Sequence, residues 1–167
     1  MLMIRRISGF TLIELIVTLA VAAILVGLVA PSFQNLMRNN QVTTETNSLL
    51  SAFQLARSEA VRRGGPVSIL NEPGGFGNGW CVIAAALGGV DCDDAAVIRR
   101  FPATNGVSVS QGALTGVTFD ERGYQAAPGT DVSIEFEPLD CAPGSTRMRR
   151  VSVSPAGRAT VILDDCT

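Results

Sequence analysis

The chain has 167 residues, enough for one modest domain plus an appended segment, and is 47% hydrophobic and 17% charged. Its net charge of −2 supplies no global basic field for nucleic acid, and every one of its 13 cations is arginine. There is no histidine, which excludes the usual general base, the usual nucleophile triad and most catalytic zinc arrangements together.

The first element is apolar and long. Between Glu14 and Arg38 there is no charged residue, and Leu15–Ala30 together with Phe10–Ile13 makes about 20 apolar residues, or roughly 30 Å as a helix. That length spans a bilayer. A secretory signal has a shorter core and a small-x-small cleavage site after it. Here Ser8-Gly9 stands before the core, behind Arg5 and Arg6, so a cut there removes a basic leader and keeps the anchor. The two arginines place the N-terminus in the cytoplasm and the remainder outside.

Gly9-Phe10-Thr11-Leu12-Ile13-Glu14 resembles the class III signal of type IV pilins and type II secretion pseudopilins. The resemblance implies cleavage between Gly9 and Phe10 by a prepilin peptidase, N-methylation of Phe10, and an inner-membrane assembly platform that stacks this helix with those of other pilins in a filament. It also implies a role for Glu14, whose carboxylate would pair with the N-terminal amine of a neighbouring subunit. A lone acid beside a membrane segment needs such a partner, unless it snorkels to the headgroups as a helix-end acid does. Gly27 and Pro31 interrupt the helical pattern, so a kink or local melting is expected there.

Beyond Pro31 the pattern turns amphipathic. Val42, Leu49, Phe53, Ala56 and Ala60 recur at helical spacing, with Leu50 and Val61 widening the stripe, and Gly64-Gly65-Pro66 stops the helix. Short β-branched runs follow: Val67–Leu70, Trp80–Ala84, Val97–Phe101, Val107–Ser110, Val117–Phe119, Val132–Phe136, Val151–Ser154 and Ala159–Leu163. Val132–Phe136 and Val151–Val153 alternate, which suggests one buried face, and Ser154-Pro155-Ala156-Gly157-Arg158 predicts a hairpin turn. The stretches "SAFQLARSEAVRRGGPVSI", "GNGWCV", "FDERGYQ" and "VSVSPAGRATV" resemble the GspH/FimT family of minor pilins and pseudopilins. The implied fold is α+β and pilin-like, a long N-terminal helix packed on antiparallel sheet. The expected organisation is a cleaved leader (1–9), a transmembrane and filament-core helix (10–38), an amphipathic helix (39–65) and a periplasmic β domain (66–167).

Cys81, Cys92, Cys141 and Cys166 form no C-x-x-C pair, so zinc-ribbon and thioredoxin-like chemistry is disfavoured. Export of the segment that carries them makes two disulfides the natural expectation, as against buried free thiols. Of three possible pairings, closeness in sequence favours Cys81–Cys92 and Cys141–Cys166.

Site chemistry is sparse. The glycine-rich run Asn71–Gly79 lacks the Gly-Lys-Ser/Thr of a phosphate loop and suggests a flexible surface loop. Asp91, Asp93 and Asp94 could offer oxygens to calcium, but their spacing matches no EF-hand, which favours a solvated acidic loop. No catalytic residue, cofactor site or metal site is identified, so a non-enzymatic role is expected. Arg147, Arg149 and Arg150 are the most prominent cations. Some FimT-type minor pilins bind DNA through a Gly-Arg-x-Arg motif; here Gly157-Arg158-Ala159-Thr160 lacks the second arginine, and Arg149 and Arg150 compensate only if the hairpin brings them to Arg158. The alternative is a strand edge guarded by charge. The functional expectation is a structural minor pilin that primes a type IV pilus. An H-type pseudopilin of type II secretion and a DNA-binding minor pilin for transformation are the alternatives.

Overall fold

The structure, a computed structural model, describes residues 10–102 and 105–166, with side chains described for all of these except 28–32. Helix α1, Leu12–Arg63, ends where glycine releases it: Gly64, at φ 66°, and Gly65 both donate their N–H to the carbonyl of Ala60. Two compact units divide the chain between Met37 and Arg38. In the first, the described part of α1 is apolar and exposed. Among the described residues no helix is long and apolar enough to cross a membrane. The side chains of 28–32, which continue the apolar run of the sequence, lie outside that description. α1 is assigned as one uninterrupted helix through Gly27 and residue 31, so the expected local melting is not seen. The kink expected from Pro31 falls on a side chain outside the described residues.

The second unit holds the remaining half of α1 and nine strands among the described residues: β1 (Val67–Asn71), β2 (Trp80–Ile83), β3 (Val97–Phe101), β4 (Val107–Ser110), β5 (Gly116–Phe119), β6 (Gln125–Ala127), β7 (Val132–Pro138), β8 (Met148–Val153) and β9 (Ala159–Asp164). They form two antiparallel sheets, one in the order β3-β2-β1-β5-β6 and one in the order β4-β7-β8-β9. One core joins all three layers. Val42, Leu49, Ala52, Phe53, Ala56 and Ala60 of α1 pack with Val67, Ile69, Val117 and Phe119 of the first sheet and Ile134, Phe136, Val151 and Val153 of the second. Thr46 sits in that stripe because its hydroxyl donates to the carbonyl of Val42 at 2.6 Å, which satisfies the buried group within the helix. Val61, expected to widen the stripe, is instead 54% exposed.

The two sheets use their faces differently. In β7 burial alternates, as one-sided packing requires, and β8 alternates over Arg150–Val153, with Met148 buried on the other face. In β1, β2 and β5 nearly every residue is buried, because the first sheet is covered on both faces. The second cover is the segment from Ala84 to Ala96, which lays Ala85, Leu87 and Val90 over Leu70, Cys81 and Ile83. The Cys81–Cys92 disulfide fastens this flap. Beneath it Ser68 and Thr118 share a hydrogen bond of 2.8 Å, and the Ser68 hydroxyl also reaches the carbonyl of Ala85 at 2.6 Å. Arg100 ties the flap from the side, donating to the carbonyl of Cys92 and to Asp93.

The glycine-rich run is built rather than loose. It contains a short 3-10 turn, Phe76–Asn78, whose Phe76 is fully buried beside Trp80, and Trp80 in turn stacks on Phe101 at 5.6 Å. Strand β6 follows the Asp120–Gly123 turn and went unpredicted, its three residues being too short for a periodic signal.

The loop between β7 and β8 is fixed to the helix. Arg38 meets Asp140 at 2.6 Å, Arg147 donates from Nε to Asn39 at 2.8 Å, and Arg147 Nη2 stands 3.5 Å from Asp140. Cys141–Cys166 closes the same loop onto the residues after β9. Desolvation works to raise the Asp140 carboxyl, but the hydrogen bond and charge of Arg38, helped by Arg147, outweigh it and hold the group below the usual carboxylate range. On the exposed helix face, hydrogen bonds and charge from Arg62 and Arg63 lower Glu59 to about 2.

Two predictions follow from this packing. Gly144 and Gly157 both have φ in the left-handed region, 78° and 75°, but a Cβ meets open space at Gly144 and overlaps the Gly123 carbonyl at Gly157. Gly144→Ala should cost about 1–2 kcal/mol for backbone strain alone. Gly157→Ala should reach the upper end of ordinary single substitutions, about 3 kcal/mol, in urea unfolding. Equal losses would show that the β8–β9 turn moves freely away from Gly123. For Asp140, a depressed folded pKa stabilises the fold above the unfolded value and is lost as pH falls through the folded one. Arg38→Gln should therefore raise the Asp140 midpoint in a carboxyl NMR titration and shrink the acid-dependent part of stability; an unchanged midpoint would remove Arg38 as the cause.

Candidate functional site

The N-terminal end of α1 is capped by its own sequence. Thr11 precedes the first helical residue, and its hydroxyl accepts the backbone N–H of Glu14 at 3.3 Å, while Leu15 donates to the Thr11 carbonyl at 3.2 Å. Thr-x-x-Glu is the pattern of a capping box, a purely local signal in the sequence. Only half of the box is made. Glu14 contributes its amide, while its carboxylate has no hydrogen bond or ion pair among the described residues. The acid therefore remains open to a group from outside the chain.

Around it the apolar side chains have no cover. Phe10, Leu12, Ile13, Leu15, Ile16 and Leu19 are each more than half exposed, a continuous surface of the kind that marks a membrane or protein interface. Phe10 is described; Gly9, on the other side of the expected cut, lies outside the described residues together with the rest of 1–9.

The arginines singled out from the sequence are not gathered into one patch. Arg149 and Arg150 are neighbours on β8 and so face opposite sides of the sheet. Arg150 is held between two carboxylates, Glu135 of β7 at 2.9 Å and Asp164 of β9 at 2.8 Å. Arg147 is engaged with Asn39 and Asp140. Arg158 sits past the turn, where its carbonyl accepts from Ser154 N–H, four residues along from Arg150, or about 13 Å. There it lines a small cleft with Gln54, Arg57 and Gly157. The hairpin thus does not bring Arg149 and Arg150 to Arg158, because the ladder runs in regular register from Met148↔Asp164 to Val153↔Ala159 and holds the two ends apart.

The remaining candidates are absorbed by structure. The disulfides are Cys81–Cys92 and Cys141–Cys166, the two pairings that sequence proximity favours. In the acidic loop, Asp91 accepts the amide of Asp93, Asp94 accepts the amide of Ala96, and Asp93 pairs with Arg100 at 2.6 Å, so these carboxylates act as turn caps and an ion-pair partner. Glu137, Cys141 and Cys166 are close enough to share a metal, but both sulfurs are joined in a disulfide and are not thiolate ligands.

The sequence and fold both have known counterparts. The family described as Type II transport protein GspH matches residues 45–157, more than half of the chain, and the prokaryotic N-terminal methylation motif matches residues 4–30. No curated protein gives a match. Among solved structures the chain is similar to the type IV minor pilin FimU of Pseudomonas aeruginosa, strain PAO1. In one crystal form the two are 25% identical over 73% of this chain and 91% of that one, with a TM-score of 0.58. A second crystal form gives 25% identity, 75% and 89% coverage, and a TM-score of 0.59. The solution structure of Escherichia coli GspH is 13% identical, with 75% and 89% coverage and a TM-score of 0.46. An exposed apolar helix with an open acid, a two-sheet domain and a methylation motif thus meet in one chain, which belongs to the GspH family of pilin-like filament proteins.

Proposed function

We propose that the chain is a minor pilin of a type IV pilus. In this role it is anchored in the inner membrane by the N-terminal half of α1, cut between Gly9 and Phe10 by a prepilin peptidase, N-methylated at Phe10, and passed by the assembly platform into a filament with other pilins. The observation that carries the reading is the likeness to FimU across about nine-tenths of that protein's length. The methylation motif over residues 4–30 supports processing. The domain on the far side of the anchor carries two disulfides, which suits the periplasm.

Glu14 supplies the assembly chemistry in this proposal. Its carboxylate is unpartnered within the described chain, and cleavage creates an amine at Phe10 of each subunit. A charge left alone in a stack of apolar helices is costly, so pairing with a neighbour's amine favours one register. The same helix serves an H-type pseudopilin, and the family match admits that alternative.

A deletion strain separates the pathways when scored for surface pili and secreted hydrolases together. Loss of pili with normal secretion is expected; the reverse would assign the chain to type II secretion. At the level of the residue, Glu14→Ala keeps the amide that Thr11 caps, so leader cleavage and membrane insertion should stay intact. Incorporation should fall for Glu14→Ala and also for Glu14→Gln, which bonds but carries no charge. The assay compares each variant in sheared filaments with its amount in the membrane, and normal incorporation of both would leave Glu14 as a snorkelling acid.

A further inference from the structure

One cavity of the second unit is lined by two guanidiniums that keep N–H groups without a hydrogen-bond acceptor among the described residues. It measures about 190 Å³ and is lined by Asn39 and Thr43 of α1, Thr146 and Arg147 of the loop before β8, Arg149 of β8 and Leu163 of β9. Arg149 stands opposite Leu163 in the ladder and makes no ion pair or hydrogen bond among the described residues. Arg147 has its Nε on Asn39, while its Nη2 is buried, lacks a hydrogen bond, and lies 3.5 Å from Asp140. Since a guanidinium only donates, Asn39 turns its oxygen to Arg147 and is left with its amide N–H₂ to offer. The threonine protons are already committed, Thr43 to the Asn39 carbonyl and Thr146 to Asp165. No carboxylate lines the cavity.

Two guanidiniums lining one small cavity repel each other, Asp140 at 3.5 Å offsetting Arg147 alone, and a donor without an acceptor costs free energy. An anion between them removes both penalties. The donors approach from α1, from the loop and from β8, so the anion needs more than the two oxygens of a carboxylate. We infer that this cavity binds a phosphate-type oxyanion, free or as a lipid headgroup, gripped by Arg147 and Arg149. A nucleic-acid strand is disfavoured, because a backbone needs a row of cations. Arg150 faces the other side of β8 and is held by Glu135 and Asp164, and Arg158 lies at the far end of the hairpin.

The test uses the full chain in detergent micelles, following the thermal midpoint as inorganic phosphate replaces chloride at constant ionic strength. A saturable rise is expected. Arg149→Gln should weaken the apparent affinity about tenfold or more, the loss of one charge-assisted contact, and Arg149→Lys should retain part of it. Arg122→Gln, in the exposed Asp120–Gly123 turn, should match the parent. An unsaturable rise that Arg149→Gln leaves unchanged would overturn the proposal. The source is read in vesicles: a phosphate effect seen in phosphatidylcholine but absent with phosphatidylglycerol assigns the headgroup, and one present in both assigns the free anion. A single-stranded oligonucleotide bound equally less well by Arg149→Gln, Arg122→Gln and Arg158→Gln would mean a diffuse cationic surface and would also overturn it.

Discussion

The second half of α1 buries one stripe, and both sheets close over it. Phe53 meets Phe119 of the first sheet edge-on at 6.4 Å, and the same core holds Phe136 of the second. Among the described residues the helix stripe is the element that packs with the inner residues of both sheets. A truncation at Phe53 would remove about 3–5 kcal/mol from a domain whose net stability is of the same order. β3 and β6 each shift register beside a bulge, and β3 still contributes Phe101 to this core.

That packing also divides the labour along α1. The part from Val42 to Ala60 packs into the domain, and the part from Phe10 to Val26 exposes its large apolar side chains. One helix therefore carries two surfaces of opposite kind, a buried stripe within the domain and an exposed apolar one. The open acid of Glu14 belongs to the second. The ion pairs of Arg38 and Arg147 with Asp140 belong to the first, fixing the loop between β7 and β8 to the helix at the beginning of the domain.

Local patterns were legible in the sequence. The spacing of Val42, Leu49, Phe53, Ala56 and Ala60 identifies the buried stripe, and Gly64-Gly65-Pro66 its end, because each is decided within a few residues. What escaped is decided at a distance. Phe76 in its run of glycines carries no periodicity, and its burial depends on Trp80 and, through it, Phe101. Val61 fits the helical stripe but lies at its margin beside the Asp120–Gly123 turn and stays exposed. The arginines looked like one cluster because they are close in sequence, yet strand alternation separates Arg149 from Arg150, and long-range partners at Glu135 and Asp164 neutralise the latter. At the helix start, Thr11 was legible in principle, its Thr-x-x-Glu spacing being a purely local signal.

The flap over the first sheet has a bearing on how the molecule survives before it is finished. Its fastening by Cys81–Cys92 is completed in an oxidising compartment, and before that the flap is held over the sheet by apolar contacts and hydrogen bonds alone. A bare apolar sheet at that stage would be adhesive. The centre of this face, however, carries Ser68 and Thr118, which hydrogen-bond to each other in the closed form and can bond to water in the open one. Lifting the flap would therefore bare a hydroxyl pair at the centre of the face, and the same two groups act as an internal clasp where Ala85 and Leu87 lie over them.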